Sequence, residues 1–295
     1  MLGIIGKGAI SSLLASRAHH VNISHTLLCR TAIAKPLNYR LHKGESGRFT
    51  PQFKLPEQAN TTEFDMLLIP IKAYDVVGAL QQWQHCISAK TIIVLLNNGM
   101  GPHESVQSQF AANPVAALTT SYGALKVSDS EVKETGIGEC VGGWLSQPEK
   151  HQEPSIIKLF NTLLPPCTWQ TNALPALWQK LSINCVINPL TAVHNVTNGA
   201  LANPEFAPVI AKLVAEFVSV ANRAGQAFSY QDLLKKVYAV IRNTAQNYSS
   251  MRQDVHYGRQ TEIDFINGYL LTTAERQNIS LPEHQRLYEQ VKSIT

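Results

Sequence analysis

The stretch Leu2–Ala18, LGIIGKGAISSLLASRA, decides how the N-terminal half folds. A short apolar run, Leu2 to Ile5, leads into GKGAIS, Gly6 to Ser11, and the residues from Ala9 onward can wind as a helix. Strand, glycine turn and helix in that order suit a dinucleotide. Gly6 can adopt backbone angles closed to other residues, Gly8 lets the backbone approach a pyrophosphate, and the helix N-terminus is positive. Lys7, Ala9 and Ile10 belong to the same turn and are candidate cofactor contacts with the two glycines. The third position of the G-x-G-x-x-G fingerprint is Ser11, which puts a side chain where helix and strand pack closely, so the fingerprint is incomplete.

Working outward, the next strand, Thr26 to Cys29, has its carboxyl end beside the place for an adenosine ribose. An acidic residue there would bind a 2′-hydroxyl, but no Asp or Glu occurs before Glu45. Arg30 stands there instead, followed by Lys35 and Arg40, and a guanidinium suits a 2′-phosphate. The alternative is a solvated residue at a strand end. Two further apolar runs, Met66–Ile71 and Thr91–Leu96, have the composition of buried parallel strands and end in Lys72 and Asn98. Ligands of open parallel sheets gather beyond such ends, although Asn98-Gly99 could equally make a turn. Ala73–Gln84 is the expected crossover helix. From Val115 to Leu145 short runs broken by glycines predict antiparallel strands that close the first domain, and Pro165–Asn172 marks a junction.

Beyond it, helical periodicity dominates. In LWQKLSINCVINPLTA, Leu177–Ala192, residues Lys180, Asn184 and Asn188 recur every four positions, which at about 100° per residue places them on one slowly drifting stripe. The surrounding Leu177, Leu181, Val186, Ile187 and Leu190 are apolar, so the stripe faces either a polar cleft or solvent. Pro189 removes the N–H that would bond the Cys185 carbonyl, and a kink near Asn188 is expected. Pro204–Gly225 and Asp232–Asn247 continue the helical pattern, and Ser280–Glu283 has the form of a capping box with proline in the first turn. Glu262, among Ile263, Phe265 and Ile266, is either a buried carboxylate that needs a partner such as Lys180 or a ligand hydroxyl, or an N-terminal helix residue favoured by the macrodipole.

Composition narrows the class. The 295 residues, 44% apolar and 16% charged, suit a soluble chain of two domains. With the glycine turn already at Gly6, no secretory signal is expected. Five cysteines without a C-x-x-C pair suggest neither a disulfide framework nor a zinc site, and fit a reducing cytoplasm. Ten histidines show no metal spacing, and a net charge of +4 with dispersed lysines and arginines gives nucleic-acid binding little support.

Taken together, G-x-G at Gly6, Arg30, IKAY with Lys72, NNGMG with Asn98, WQKLSINCVINPLTA, Asn198-Gly199, SSM with Ser250 and TEIDFINGYL with Glu262 resemble the ketopantoate reductase family over nearly the whole chain. The resemblance implies an α/β architecture. A Rossmann-type parallel-sheet domain (1–168) would bind NADPH, and an all-helical domain of the 6-phosphogluconate dehydrogenase type (169–295) would follow, with the active site in the cleft between them. It further implies reduction of 2-dehydropantoate to (R)-pantoate by a cytoplasmic monomer or homodimer. Lys180 would be the general acid, and Glu262 would position the substrate and the lysine. Asn98, Asn184, Asn188, Asn198 and Ser250 would hold the substrate, while Gly6, Gly8, Arg30, Lys72 and Asn98 would serve NADPH. Other small 2-oxo acids as substrates, or a non-catalytic NADP sensor, stay open on the residues alone.

Overall fold

The computed structural model describes residues 1–58, 63–146 and 153–295. It divides into two compact units, Met1–Asn97 with Pro102–Ala176, and Asn98–Gly101 with Leu177–Thr295. The first unit runs β1 (Leu2–Ile5), α1 (Ala9–His20), β2 (His25–Leu28), β3 (Leu37–Arg40), β4 (Ser46–Phe49), β5 (Phe53–Lys54), β6 (Met66–Ile69), α2 (Val76–Gln82), β7 (Ile92–Leu95), α3 (Pro102–Gln109), β8 (Val115–Thr120), β9 (Gly123–Ser128), β10 (Glu131–Gly136), β11 (Cys140–Trp144), α4 (Glu153–Leu163) and β12 (Cys167–Gln170). Eight strands form one sheet in the order β12-β11-β8-β7-β6-β1-β2-β5, and β4-β3-β10-β9 form a second.

Every residue of β1, β6 and β7 is buried, as continuous apolar strands covered on both faces must be. The chain leaves β1 toward β2 and returns to β6 on the other side of β1, with both pairings parallel. A switch point therefore opens at the carboxyl end of β1, where ligands of such sheets collect.

The expectation of antiparallel strands from Val115 holds only in part. β8 pairs parallel with β7, and β12 parallel with β11. Between Val115 and Trp144 the antiparallel pairs are β8 with β11 and β9 with β10. The buried run Val115–Leu118 belongs to a strand inside the main sheet, which is why its composition matches that of β6 and β7 more than that of a half-exposed hairpin. The small sheet was not apparent from the sequence, because β3 shows alternating burial over only four residues. Pro165–Asn172 contains β12, and the units divide at Ala176, inside the following helix.

The second unit contains, among the described residues, helices without strands: α5 (Leu174–His194), α6 (Ala207–Arg223), α7 (Tyr230–Asn243), α8 (Ser250–His256), α9 (Ile263–Arg276) and α10 (Pro282–Ser293). α6 buries Ile210, Leu213, Val214, Phe217, Val220 and Ala221, an i, i+3, i+4, i+7 stripe. It stops at Gly225, whose φ of +80° suits glycine. Trp178 meets Phe217 and Tyr269 edge to face. Pro189 does not end α5, which continues five residues beyond it.

The capping box expected at Ser280–Glu283 does not form. Leu281 is the N-cap of α10 and is buried, so its neighbour Ser280 is not in the capping position. Glu216 of α6 closes this helix start instead, its two carboxylate oxygens accepting from the backbone N–H groups of Glu283 and His284 at 3.0 Å each. The Glu283 side chain turns outward to Lys212 and Arg286. A tertiary carboxylate has displaced the local cap, which periodicity in one segment cannot foresee.

Candidate functional site

The glycine turn has the shape the sequence required. Gly6 sits at φ +88° and donates its N–H to the Leu28 carbonyl, and a Cβ there would lie 2.7 Å from Ile71 Cγ2. Only glycine fits. Gly8 is the N-cap of α1, where a Cβ would meet nothing within 4 Å and no side chain caps the helix. The N–H groups of Ala9 and Ile10 open that helix, have no intrahelical partner and face no acidic residue in the first turn, an arrangement that receives an anion. Ser11, at the third fingerprint position, is fully buried and donates its hydroxyl to the Ile5 carbonyl, with the Pro70 carbonyl at 3.4 Å. The serine thus ties α1 to the ends of β1 and β6 and keeps the turn in place without the glycine.

Arg30 follows β2 and is largely exposed, with its guanidinium 3.5 Å from the Asp75 carboxylate. Arg40 lies instead on β3 and pairs with Glu131. Lys72 is the half-buried N-cap of the short turn Ala73–Asp75 beyond β6. A cavity of about 300 Å³ opens beside the glycine turn, with Lys7, Lys35, Asp129 and three serines in a wall that is otherwise apolar. Two ammonium groups, one carboxylate and three hydroxyls in that wall can meet a polar occupant, and the aliphatic residues between them can meet an apolar one.

In the second unit, Lys180 and Asn184 are half-buried and Asn188 is buried along α5. The segment Asn98–Gly101 is packed onto the start of α9. Met100 N–H donates to the Phe265 carbonyl at 2.7 Å, and Gly99, at φ +77°, lies so close that a Cβ would stand 2.4 Å from the same oxygen. This contact brings Asn98 Nδ2 to 3.3 Å from Glu262 Oε2, where it donates to the carboxylate. Glu262 is 3% exposed and occupies the N-cap position of α9 without capping it. Glu262 thus stands at a helix start with its carboxylate buried and turned to a side-chain donor.

Asn198 is buried, gives Nδ2 to Thr244 Oγ1 at 2.9 Å, and keeps a buried Oδ1 without a protein partner among the described residues. An orphaned acceptor of that kind costs about 1–3 kcal/mol unless a ligand donor meets it. Ser250 is exposed at the first position of α8. Its neighbour Ser249 is the buried one, capping α8 by accepting from Arg252 N–H and bonding Thr191 of α5 at 2.7 Å.

Sequence reading holds Ser249 and the Gln260–Leu271 stretch that contains Asn267 as polar residues open to a substrate site without assigning either a partner, and singles out neither Thr191, Asp75 nor His284. The proline had signalled a partner, since a released Cys185 carbonyl requires a donor, but which residue supplies it depends on tertiary packing. Among the described residues no three His, Cys, Asp or Glu side chains converge as a metal site. None of the five cysteines is in a disulfide and all are buried, and burial pushes the Cys29 thiol up to about 11, which removes it as a nucleophile near neutral pH. No helix among the described residues is long and apolar enough to cross a membrane.

Residues 2–147 match the family described as Ketopantoate reductase PanE/ApbA, and residues 172–295 match Ketopantoate reductase PanE/ApbA C terminal. The 2-dehydropantoate 2-reductase of Vibrio cholerae is 36% identical over 99% of this chain and 96% of its own length. The solved structure of a probable 2-dehydropantoate 2-reductase from Bacillus subtilis superposes with a TM-score of 0.81 at 26% identity, covering 100% of this chain and 99% of its own. A D-mandelate dehydrogenase, solved with NADH and anilino(oxo)acetate, shares the fold with a TM-score of 0.91 at 21% identity, over 100% of this chain and 98% of its own.

Proposed function

The chain belongs to the ketopantoate reductase family, and we propose that it reduces 2-dehydropantoate to (R)-pantoate with NADPH, in the cytoplasm, as a step of pantothenate and coenzyme A biosynthesis. The observation that carries this reading is the polar set of the second unit: Lys180, Asn184 and Asn188 along one helix, and Asn98 donating to the buried Glu262.

The glycine turn fits the cofactor, because an uncapped helix start and an unfilled space above Gly8 are what a pyrophosphate needs. Gly6, Lys7, Gly8, Ala9 and Ile10 would hold it, Lys72 and Asn98 would add polar contacts, and Arg30 would take the 2′-phosphate. Bound NADPH supplies the hydride. Reduction at a ketone carbon builds negative charge on oxygen, and Lys180 stabilises and protonates that oxygen as general acid. Asn184, Asn188, Asn98 and Ser250 orient the substrate through neutral hydrogen bonds. Asn198 contributes an acceptor, Oδ1, which suits a substrate hydroxyl better than a carboxylate. Glu262 positions the lysine and the substrate. Its burial beside the Asn98 amide donor keeps the carboxylate anchored.

The test is steady-state consumption of NADPH and of NADH with a panel of 2-oxo acids. Turnover of 2-dehydropantoate with NADPH, at a kcat/KM at least about tenfold above that for the other acids or for NADH, is expected. Preference for another 2-oxo acid would reassign the substrate, and cofactor binding without turnover of any would leave a sensor.

A further inference from the structure

We infer that Asn267, held by His284, is a positioning residue that fixes α5 against α9, and with them the two sets of side chains assigned to the reaction. The inference rests on the function proposed above.

The geometry starts from Pro189. Because proline lacks an N–H, the carbonyl of Cys185 loses the donor that its helix would otherwise supply, in a place where Cys185 is fully buried. Asn267 of α9, itself without exposed surface, donates Nδ2 to that carbonyl at 3.0 Å. The same nitrogen lies 3.0 Å from His284 Nδ1, and His284 Nε2 lies 3.0 Å from the Leu213 carbonyl. A carbonyl can only accept, so the imidazole proton is on Nε2 and Nδ1 is the acceptor. The two hydrogens of Asn267 Nδ2 are then both used, one for Cys185 and one for His284. Four helices, α5, α6, α9 and α10, meet in one chain of hydrogen bonds that is complete with a neutral imidazole.

The amide pays for this in one respect: its Oδ1 is buried without a partner among the described residues. Asn267 carries that cost because a donor with two hydrogens is needed to serve Cys185 and His284 together. An apolar side chain of the same size would fill the space but leave the carbonyl orphaned and the two helices free to slide. The location gives the bond its consequence. Cys185 stands next to Asn184 and three residues before Asn188, and Asn267 is five residues after Glu262. The bond therefore sets the rotation and register of the helix that bears Lys180, Asn184 and Asn188 relative to the helix that starts at Glu262. Misplacement of reacting groups by about 1 Å can cost on the order of 10²-fold in rate.

Pro189→Ala is the decisive variant, because it adds an N–H that competes for the Cys185 carbonyl and improves the helix while it weakens the tie to Asn267. We expect an unchanged or higher melting temperature together with a kcat/KM for 2-dehydropantoate that is lower by about three- to tenfold. Asn267→Leu should lower kcat/KM by at least about tenfold with NADPH affinity, measured by fluorescence titration, within about twofold of wild type. His284→Leu should follow Asn267→Leu, whereas His284→Gln, which can still accept from Asn267 and donate to Leu213, should stay within about threefold of wild type. If Asn267→Leu does not fold, Pro189→Ala decides alone. The proposal is overturned if Pro189→Ala keeps its full kcat/KM, or if each variant loses activity only in proportion to the NADPH-binding protein that remains. Those results leave the proposed reaction intact. A wild-type protein that binds NADPH but reduces no 2-oxo acid overturns the reaction and the positioning role with it.

Discussion

Three helix starts in this molecule meet the same chemical demand in different ways. At α1 the N-cap is Gly8, with no capping side chain and empty space where a Cβ would go. At α9 the N-cap is Glu262, nearly inaccessible, and its carboxylate takes a bond from Asn98 rather than from the helix. At α10 the orphan N–H groups are met by Glu216 from another helix. A helix start left bare offers its N–H groups to an anion, one closed by a distant carboxylate is structural, and one whose buried carboxylate bonds a side-chain donor is set by its tertiary neighbours. The difference lies in what stands above the first turn, not in the helix.

The widest test of that contrast is Lys180→Ala. Removal of a positioned acid should lower kcat by about 10²–10⁴-fold while NADPH affinity stays within about twofold, because the bare start of α1 is untouched. Glu262→Ala should act chiefly on KM for the substrate, with a smaller loss of rate. Near-normal turnover by Lys180→Ala would make the α5 stripe structural and direct the search for a proton donor elsewhere.

The α10 start gives the next largest effect. Burial lowers the pKa of His284 from the ordinary 6.5 to about 4, so the folded chain keeps it neutral where the unfolded chain takes up a proton. Its contribution to stability is complete above pH 6.5 and is lost as pH falls toward 4, for a total of roughly 3 kcal/mol. Glu283, held low by Lys212 and Arg286, adds a loss of the same sign in the acid range. Urea unfolding at pH 7 and pH 5 should show the decline, and His284→Gln should flatten it. An equally steep decline in that variant would assign the acid sensitivity to the carboxylates.

At the bare start the expected effects are smaller and separable. Arg30→Ala should weaken NADPH binding by about 1.5–3 kcal/mol with little effect on NADH, if the guanidinium reads the 2′-phosphate despite its contact with Asp75. Equal losses for both cofactors would refute that role. The smallest effect is on stability at Gly8: Gly8→Ala should unfold within about 0.5 kcal/mol of wild type, since its Cβ meets nothing, yet bind NADPH less well. Gly6→Ala is the counterpart, and should cost about 1–3 kcal/mol of stability because positive φ and the contact with Ile71 both resist a side chain. Equal stability of the two variants would remove the distinction between a turn kept open for a ligand and a turn kept tight for the fold.

What the amino-acid sequence determined by itself was local in origin. The glycine turn, the buried strands at Leu2, Met66 and Ile92, and the long helical half follow from period, apolar run length and backbone permissiveness, each a property of neighbouring residues. The stripe of Lys180, Asn184 and Asn188 was legible for the same reason. Tertiary structure alone decided the partners: Asn98 for Glu262, Ser11 for the Ile5 carbonyl, Glu216 for the start of α10, and Asn267 for the carbonyl that Pro189 released. A polar group states in the sequence that it needs a partner, but hydrogen bonds act over about 3 Å of space. The residues that meet here are separated by 164, 6, 67 and 82 positions, so only the folded chain brings them within that reach.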